Sequence, residues 1–236
     1  MNAYLPREFL QVALHQRGGN PARLDELFRL LEQLAFKPVV GIDLQKISKR
    51  GLLLLPTRQC RFPFEQGELD FIVSFLSQGN PLFHLSNHPP LTKQDTSLGQ
   101  LLGYRFHSVV NGTDPHCDFE VYPTPHSVSV FESVDANLHF SIRNSCIVTY
   151  DNDSFSVIAD FSRSNLSNGD PNAAFGIARP RNLGTGAGAI VALGDSGLLG
   201  EPMSGNPGPG LHAGDNLELV KRILRWLQNQ TAQRVD

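Results

Sequence analysis

FLQVALHQRGGNPARLDELFRLLEQLAFKPVVGI, residues 9–42, decides the fold. Its opening run at 9–15 is short and apolar and stops at polar residues, the signature of a buried strand. Asn20-Pro21 then sets an N-cap ahead of a proline at the first helical position, where its missing N–H costs nothing. Leu24, Leu27, Phe28, Leu31 and Leu34 recur at helical spacing and draw one apolar stripe. Residues 39–42 return to an apolar strand. Strand, one-sided helix and strand form the repeating unit of a sheet wrapped by helices.

Outward from this unit the alternation continues. Residues 52–55 are four leucines in a row, as expected of a strand covered on both faces. Residues 64–76 predict a helix with Leu69, Ile72, Val73 and Leu76 inward, stopped by Gly79-Asn80-Pro81. A fourth strand spans 82–86, and a short helix spans 97–102 before Gly103. From 104 to 161 the period changes. The runs 128–131, 139–150 and 154–161 alternate or are β-branched, with Asp151-Asn152-Asp153 as a hairpin turn. No flexible linker precedes them, so the stretch 104–162 reads as an antiparallel extension of the same sheet, inside one domain spanning 1–236. Residues 165–172 read as a surface loop. Then come a strand at 189–193, a Gly/Pro-rich loop at 201–214 and a closing helix. Asp215-x-x-Glu218 looks like its capping box, with Leu217, Val220, Ile223, Leu224 and Leu227 inward and Lys221, Arg222 and Arg225 toward water.

Composition narrows the functions. With 236 residues, 40% of them hydrophobic, the chain builds a core without covalent staples. Lys+Arg total 20 against 23 Asp+Glu, a net charge of −3 that argues against capture of nucleic acid or anionic lipid. Cys60, Cys117 and Cys146 show no C-x-x-C spacing, so neither a disulfide framework nor a zinc site is expected. The N-terminus lacks the basic-then-apolar order of an export signal. Apolar runs are far shorter than the roughly 20 residues a membrane span needs. The expectation is a cytoplasmic domain with no cofactor, no metal and a small-molecule ligand.

In parallel sheets the ligand space lies past the carboxyl ends of the strands. Three strands end there in polar residues: His15-Gln16, Ser86-Asn87-His88 and Asp195-Ser196. His84, Ser86 and His88 share a face while the chain stays extended. His84 and His88 are too far apart along a strand to share a metal, and His84 reads as a core histidine bonded to backbone. Ser86 as nucleophile, His88 as base and Asp195 as orienter form a coherent catalytic set. His15, Gln16, Asn87 and Ser196 are the ligand-binding candidates. Gly184-x-Gly186-x-Gly188 precedes a strand and opens no helix, which removes the logic of a dinucleotide loop. Gly194-Asp195-Ser196-Gly197 has the form of a serine-protease nucleophile motif without the rest of that signature.

LSNHPPL (85–91), GAIVALGDSGLLG (188–200) and NLELVKRILRWL (216–227) together resemble the class I glutamine amidotransferase-like superfamily, nearest to its DUF4350-like and GIFT-domain members. LHQRGGNPARLDELFRLLEQLAF (14–36) is similar to the first strand and helix of those relatives. The resemblance covers most of the chain and thins between 111 and 181. It implies a flavodoxin-like three-layer α/β sandwich. Departures accompany it. A true glutamine amidotransferase carries a cysteine in a Gly-x-Cys-x-Gly elbow and a late His-x-Glu pair. Here Ser86-Asn87 stand at the elbow, no cysteine falls there, and no late His-x-Glu occurs. Asn87-His88 replace the Asp-His of relatives.

Three readings follow. One is an amidotransferase-like domain without glutaminase activity that binds a small polar metabolite or sugar. A second is a hydrolase or lyase using Ser86, His88 and Asp195 on the same scaffold. The third is a structural or interaction module.

Overall fold

The computed structural model describes residues 11–14, 24–40, 51–57, 62–87, 92–108, 118–124, 130, 138–143, 145–151, 153–161, 174–182, 184–200 and 210–232. In chain order the elements are β1 (Gln11–Leu14), α1 (Asp25–Gln33), β2 (Lys37–Val40), β3 (Gly51–Leu55), α2 (Gln66–Ser77), β4 (Leu82–Leu85) and α3 (Thr92–Leu102). Then follow β5 (Tyr104–Ser108), β6 (Asp118–Pro123), β7 (Phe140–Arg143), β8 (Cys146–Tyr150), β9 (Ser156–Phe161), β10 (Gly176–Arg179), β11 (Ile190–Leu193) and α4 (Asn216–Ala232). Among the described residues no helix is long and apolar enough to cross a membrane.

The main sheet has nine strands in the order β2-β1-β3-β4-β11-β10-β9-β6-β7. From β2 to β11 every pairing is parallel. From β11 to β7 every pairing is antiparallel. This is a flavodoxin-like α/β fold with an antiparallel extension. The strand order turns back at β1, between β2 and β3, which is where such sheets leave a crevice.

Strand alternation builds the layers. Leu52 and Leu54 of β3, Phe83 and Leu85 of β4, and Val191 and Leu193 of β11 pack with α1 and α4. Leu53, Leu55, Leu82, Ile190 and Ala192 face the other way, toward Ile72, Phe75 and Leu76 of α2 and Leu98 of α3. Successive side chains point to opposite faces, so strands covered on both sides must be apolar throughout. The runs of leucine, isoleucine and valine meet that requirement. On α4 the buried set is Leu219, Val220, Ile223, Leu224, Trp226 and Leu227, with Leu217 partly buried against them.

Three local expectations fail for identifiable reasons. First, the run 139–150 breaks into β7 and β8, which lie in different sheets, and Asp151-Asn152-Asp153 does not join a β8–β9 hairpin. β8 pairs with β5 in a separate two-stranded sheet, while β9 pairs with β10 and β6. Tyr104 and Phe106 of β5 and Cys146 and Val148 of β8 are buried against the α2/α3 layer, and this burial carries the pair off the main sheet. Second, α3 starts at Thr92 rather than 97, because its first turns bury polar Thr92, Gln94 and Asp95 and show no apolar stripe. Third, the capping box belongs to α2. There the Glu65 side chain accepts the Glu68 backbone N–H, and Glu65 N–H donates to Glu68 Oε2 at 2.9 Å. Before α4, Asp215 instead accepts the His139 backbone N–H at 3.0 Å. Asn216 grips Ser141 through both its N–H and its C=O. These side chains tie the helix to β7.

Candidate functional site

β3, β4 and β11 are adjacent and parallel, so their carboxyl ends emerge side by side. Thr57 follows β3, Ser86-Asn87 follow β4, and Gly194-Asp195-Ser196 follow β11. Asn87 Nδ2 donates to Ser196 Oγ at 3.3 Å, joining residues 109 apart in sequence. Both side chains are half-buried. Ser86 prolongs the ladder, its N–H donating to Leu193 O at 2.9 Å, and its side chain is fully buried. Asp195 is also buried, and its Oδ1 accepts the Gly197 N–H at 2.6 Å, opening a short 3₁₀ turn at Gly197–Leu199. One contact therefore joins sequence candidates from two strands, Asn87 with Ser196, while Ser86 turns to Asp95 and Asp195 to Gly197. His15, Gln16 and His88 lie outside the described residues.

Beneath this rim lies a polar cluster that motif reading missed. Asp95 of α3 is fully buried. Its Oδ2 accepts Thr57 Oγ1–H at 2.7 Å and Ser86 Oγ–H at 2.9 Å, while Oδ1 lies 3.4 Å from His84 Nε2. On the far side, His84 Nδ1 is 2.7 Å from the Tyr104 hydroxyl. Burial, with Asp95 adding to it, pushes the Tyr104 phenol well above its usual range near 10. The phenol therefore keeps its proton, and the His84 ring bridges Tyr104 and Asp95 through its two nitrogens. His84 is a core histidine as expected, but bonded to side chains rather than to backbone. Phe106 meets its ring edge-on at 5.0 Å, and Phe155 meets Tyr104 at 5.6 Å. A signal for Asp95 was present: His84 and Ser86 share a face that a covering helix must satisfy, and Asp95 is the sole acid in the 92–102 segment.

Cys146 enters the same cluster from β8. Its Sγ donates to Gly194 O at 3.2 Å. Burial pushes the thiol well above its usual range near 9, a hydrogen bond with Ser86 opposes this, and Asp95 and Asp195 add to it. A thiol kept protonated and buried is a poor nucleophile. We expect the Cys146 peptide to resist iodoacetamide in the native protein and to react fully in urea, read by peptide mass mapping. Native labelling of that peptide at the rate of an exposed thiol would contradict the placement.

The two raised groups also set a pH dependence. Each holds its proton in the folded state at pH values where the unfolded chain has lost it. Their contribution is therefore fully present below the unfolded pKa and is lost as pH climbs above about 9 for Cys146 and about 10 for Tyr104. Tyr104→Phe removes the second of these, so the stability gap between wild type and variant should narrow above about pH 10 in urea melts. A gap that stays constant with pH would refute the argument.

Among the described residues, no group of three or more His, Cys, Asp and Glu side chains is placed to hold a metal ion. Its hydrogen bonds make the cluster a floor under a rim of amide and hydroxyl groups.

No protein-family model matches the chain, and no curated protein sequence matches it. Solved structures do. The mmIFT52 N-terminal domain superposes with a TM-score of 0.65 at 13% identity, over 92% of this chain and 97% of that one. A protein from Bacteroides uniformis described as ThuA-like gives 0.55 at 16%, covering 94% and 91%. A glutamine amidotransferase from Thermotoga maritima gives 0.53 at 14%, covering 95% and 98%. At these identities the likeness is one of fold. The chain shares the fold of these three structures, a glutamine amidotransferase among them, along nearly its whole length.

Proposed function

We propose that this domain belongs with the DUF4350-like and GIFT-domain groups, has no glutaminase activity and binds a small polar metabolite or sugar at the carboxyl ends of its central strands. The Asn87–Ser196 contact carries the reading. Two neutral, half-buried side chains from adjacent strands meet over a buried layer, the arrangement by which a crevice orients a polar ligand. His15, Gln16 and His88 are proposed to complete the rim. Support for the missing glutaminase comes from the elbow position, where Ser86-Asn87 follow β4. It comes also from Cys146, which sits on β8 with its thiol held protonated. The alternative, hydrolysis by Ser86 with His88 and Asp195, asks more of the molecule. The Ser86 proton would first have to leave Asp95.

Glutamate release from glutamine is expected to stay at the blank level. In a thermal-shift panel of neutral sugars and polar metabolites, a cognate ligand at about a hundredfold excess over Kd should raise Tm by roughly 5–10 °C. Asn87→Ala and Ser196→Ala should each lose most of that rise while the unliganded Tm stays close to wild type. Glutamate release abolished by Ser86→Ala or Cys146→Ala, or a wild-type protein that responds to nothing in the panel, would reject the reading.

A further inference from the structure

Arg179 ends β10, Pro180 follows, and Arg181 stands just beyond. Proline fixes its own φ and holds the residue before it extended, so the two arginine Cα atoms are about 7 Å apart at most. The backbone of Arg181 is tied down, its N–H donating to Gln230 Oε1 of α4 at 3.1 Å. Both arginines are half-buried. The Arg179 guanidinium carbon lies 5.2 Å from the ring centre of buried Phe155. Arg179 Nε and Arg181 Nε and Nη1 are shut off from solvent, and none of these three atoms has a hydrogen-bond partner. Among the described residues neither guanidinium is paired with a carboxylate. Burial pulls the Arg179 group below its ordinary value, with Tyr104 opposing.

A buried cationic N–H without an acceptor is costly, and a folded chain keeps few such groups. Here three fall on two residues that flank one proline. Arginine's long stem lets these N–H groups turn outward, so an arriving oxyanion gains forked hydrogen bonds where the resting pose makes none. A carboxylate has two oxygens and serves one fork. A phosphate monoester has three oxygens and about −1.5 to −2 charges, enough for two guanidinia. In the β10–β11 ladder Arg179 stands opposite Ile190, the first residue of β11. The corner is therefore at the other end of β11 from Asp195 and Ser196. We propose that the Arg179-Pro180-Arg181 corner binds a phosphate monoester group, at a site separate from the strand-end crevice.

Inorganic phosphate, glycerol 3-phosphate and a phosphoserine peptide test it, each against acetate at equal ionic strength, which removes plain screening as a cause. At about tenfold excess over Kd the phosphate probes should raise Tm by about 3 °C. Tighter binding of glycerol 3-phosphate assigns the site to a small metabolite, and tighter binding of the peptide assigns it to a phosphorylated chain. Arg179→Met and Arg181→Met keep the packing of the stem and remove the charge. Each should weaken phosphate binding by about tenfold or more in calorimetry. Their unliganded Tm should hold or rise by about 2 °C, because an uncompensated cation leaves the interior. A fall of several degrees in both would assign the arginines to packing on Phe155 and overturn the proposal. Arg179→Lys keeps the charge and loses the fork, so it should weaken phosphate by about threefold or more at unchanged Tm. Asp170 and Asp236 lie outside the described residues, before β10 and after α4. Asp170→Asn and Asp236→Asn should leave phosphate binding unchanged, and tighter binding in either would mean that an acid already holds the arginines, which overturns the site. A wild type that responds to the three probes no more than to acetate, or methionine variants that respond as wild type does, overturns it equally. Asn87→Ala should keep the full phosphate response, so the crevice reading stands or falls on its own test.

Discussion

Asp95→Ala should lower stability by about 3–5 kcal/mol, because it orphans buried donors rather than deleting one bond. Ser86 and His84 are fully buried, and Thr57 is half-buried. All three face the Asp95 carboxylate. Removing the acceptor leaves their protons without a partner in a site that water does not fill for free. The chain of effects runs further. His84 also holds the Tyr104 hydroxyl, so a turned imidazole loosens α3 against β5. Asp95→Asn keeps one acceptor but faces hydroxyl protons with an amide N–H₂, so its loss should fall between wild type and alanine. Urea denaturation followed by far-UV circular dichroism measures both, with unchanged m-values confirming that the same transition is compared. A loss under about 1 kcal/mol for Asp95→Ala would mean that the network is not coupled in solution.

The parallel half of the fold was readable because burial on both faces forces a local pattern. Leu52, Leu53, Leu54 and Leu55 admit few other roles, and the stripe on α1 demands a sheet to cover. The antiparallel half was less so. β5 and β8 are separated by about forty residues of sequence, and nothing local in Cys146–Tyr150 distinguishes pairing with β5 from pairing with β9. Partner choice there depends on which face the α2/α3 layer leaves to be covered, a property of the assembled molecule.

The site divides along the same line. Ser86, Asn87, Asp195 and Ser196 were legible as polar residues that terminate apolar strands. Asp95 and Tyr104 end no apolar strand and carry no motif, and Thr57 stands past β3 behind Pro56. They matter because α3 and β5 lie over the face that His84 and Ser86 present, and a buried histidine and serine require partners. Sequence position shows where a strand stops. It does not show which acid lies across the layer.

Gly194→Ala is the second large effect, and it tests how the rim is held. A Cβ at Gly194 would stand 1.9 Å from the Cys146 carbonyl oxygen and 3.0 Å from its carbonyl carbon. These are backbone atoms, so no side-chain rotation relieves the overlap. Gly194 O accepts the Cys146 N–H at 2.8 Å, and Gly194 N–H donates to Phe175 O at 2.9 Å. β8 must therefore move away from the end of β11, drawing the Cys146 thiol from Gly194 and Ser86 and tilting the Asp195 turn. A loss of at least about 4 kcal/mol is expected, in the range of severe overpacking. Gly67→Ala is the matched control. It lies in the first turn of α2 with no atom within 4 Å of its new methyl group. Alanine there should be neutral or stabilise by up to about 1 kcal/mol through helix propensity. In native labelling, Cys146 should become reactive in Gly194→Ala and stay protected in Gly67→Ala. If both variants melt alike, the close approach of β8 to β11 is not what seats the Asn87–Ser196 rim. Gly-Asp-Ser-Gly here would then need another reason than the contact of Gly194 with β8 and the turn from Asp195 to Gly197.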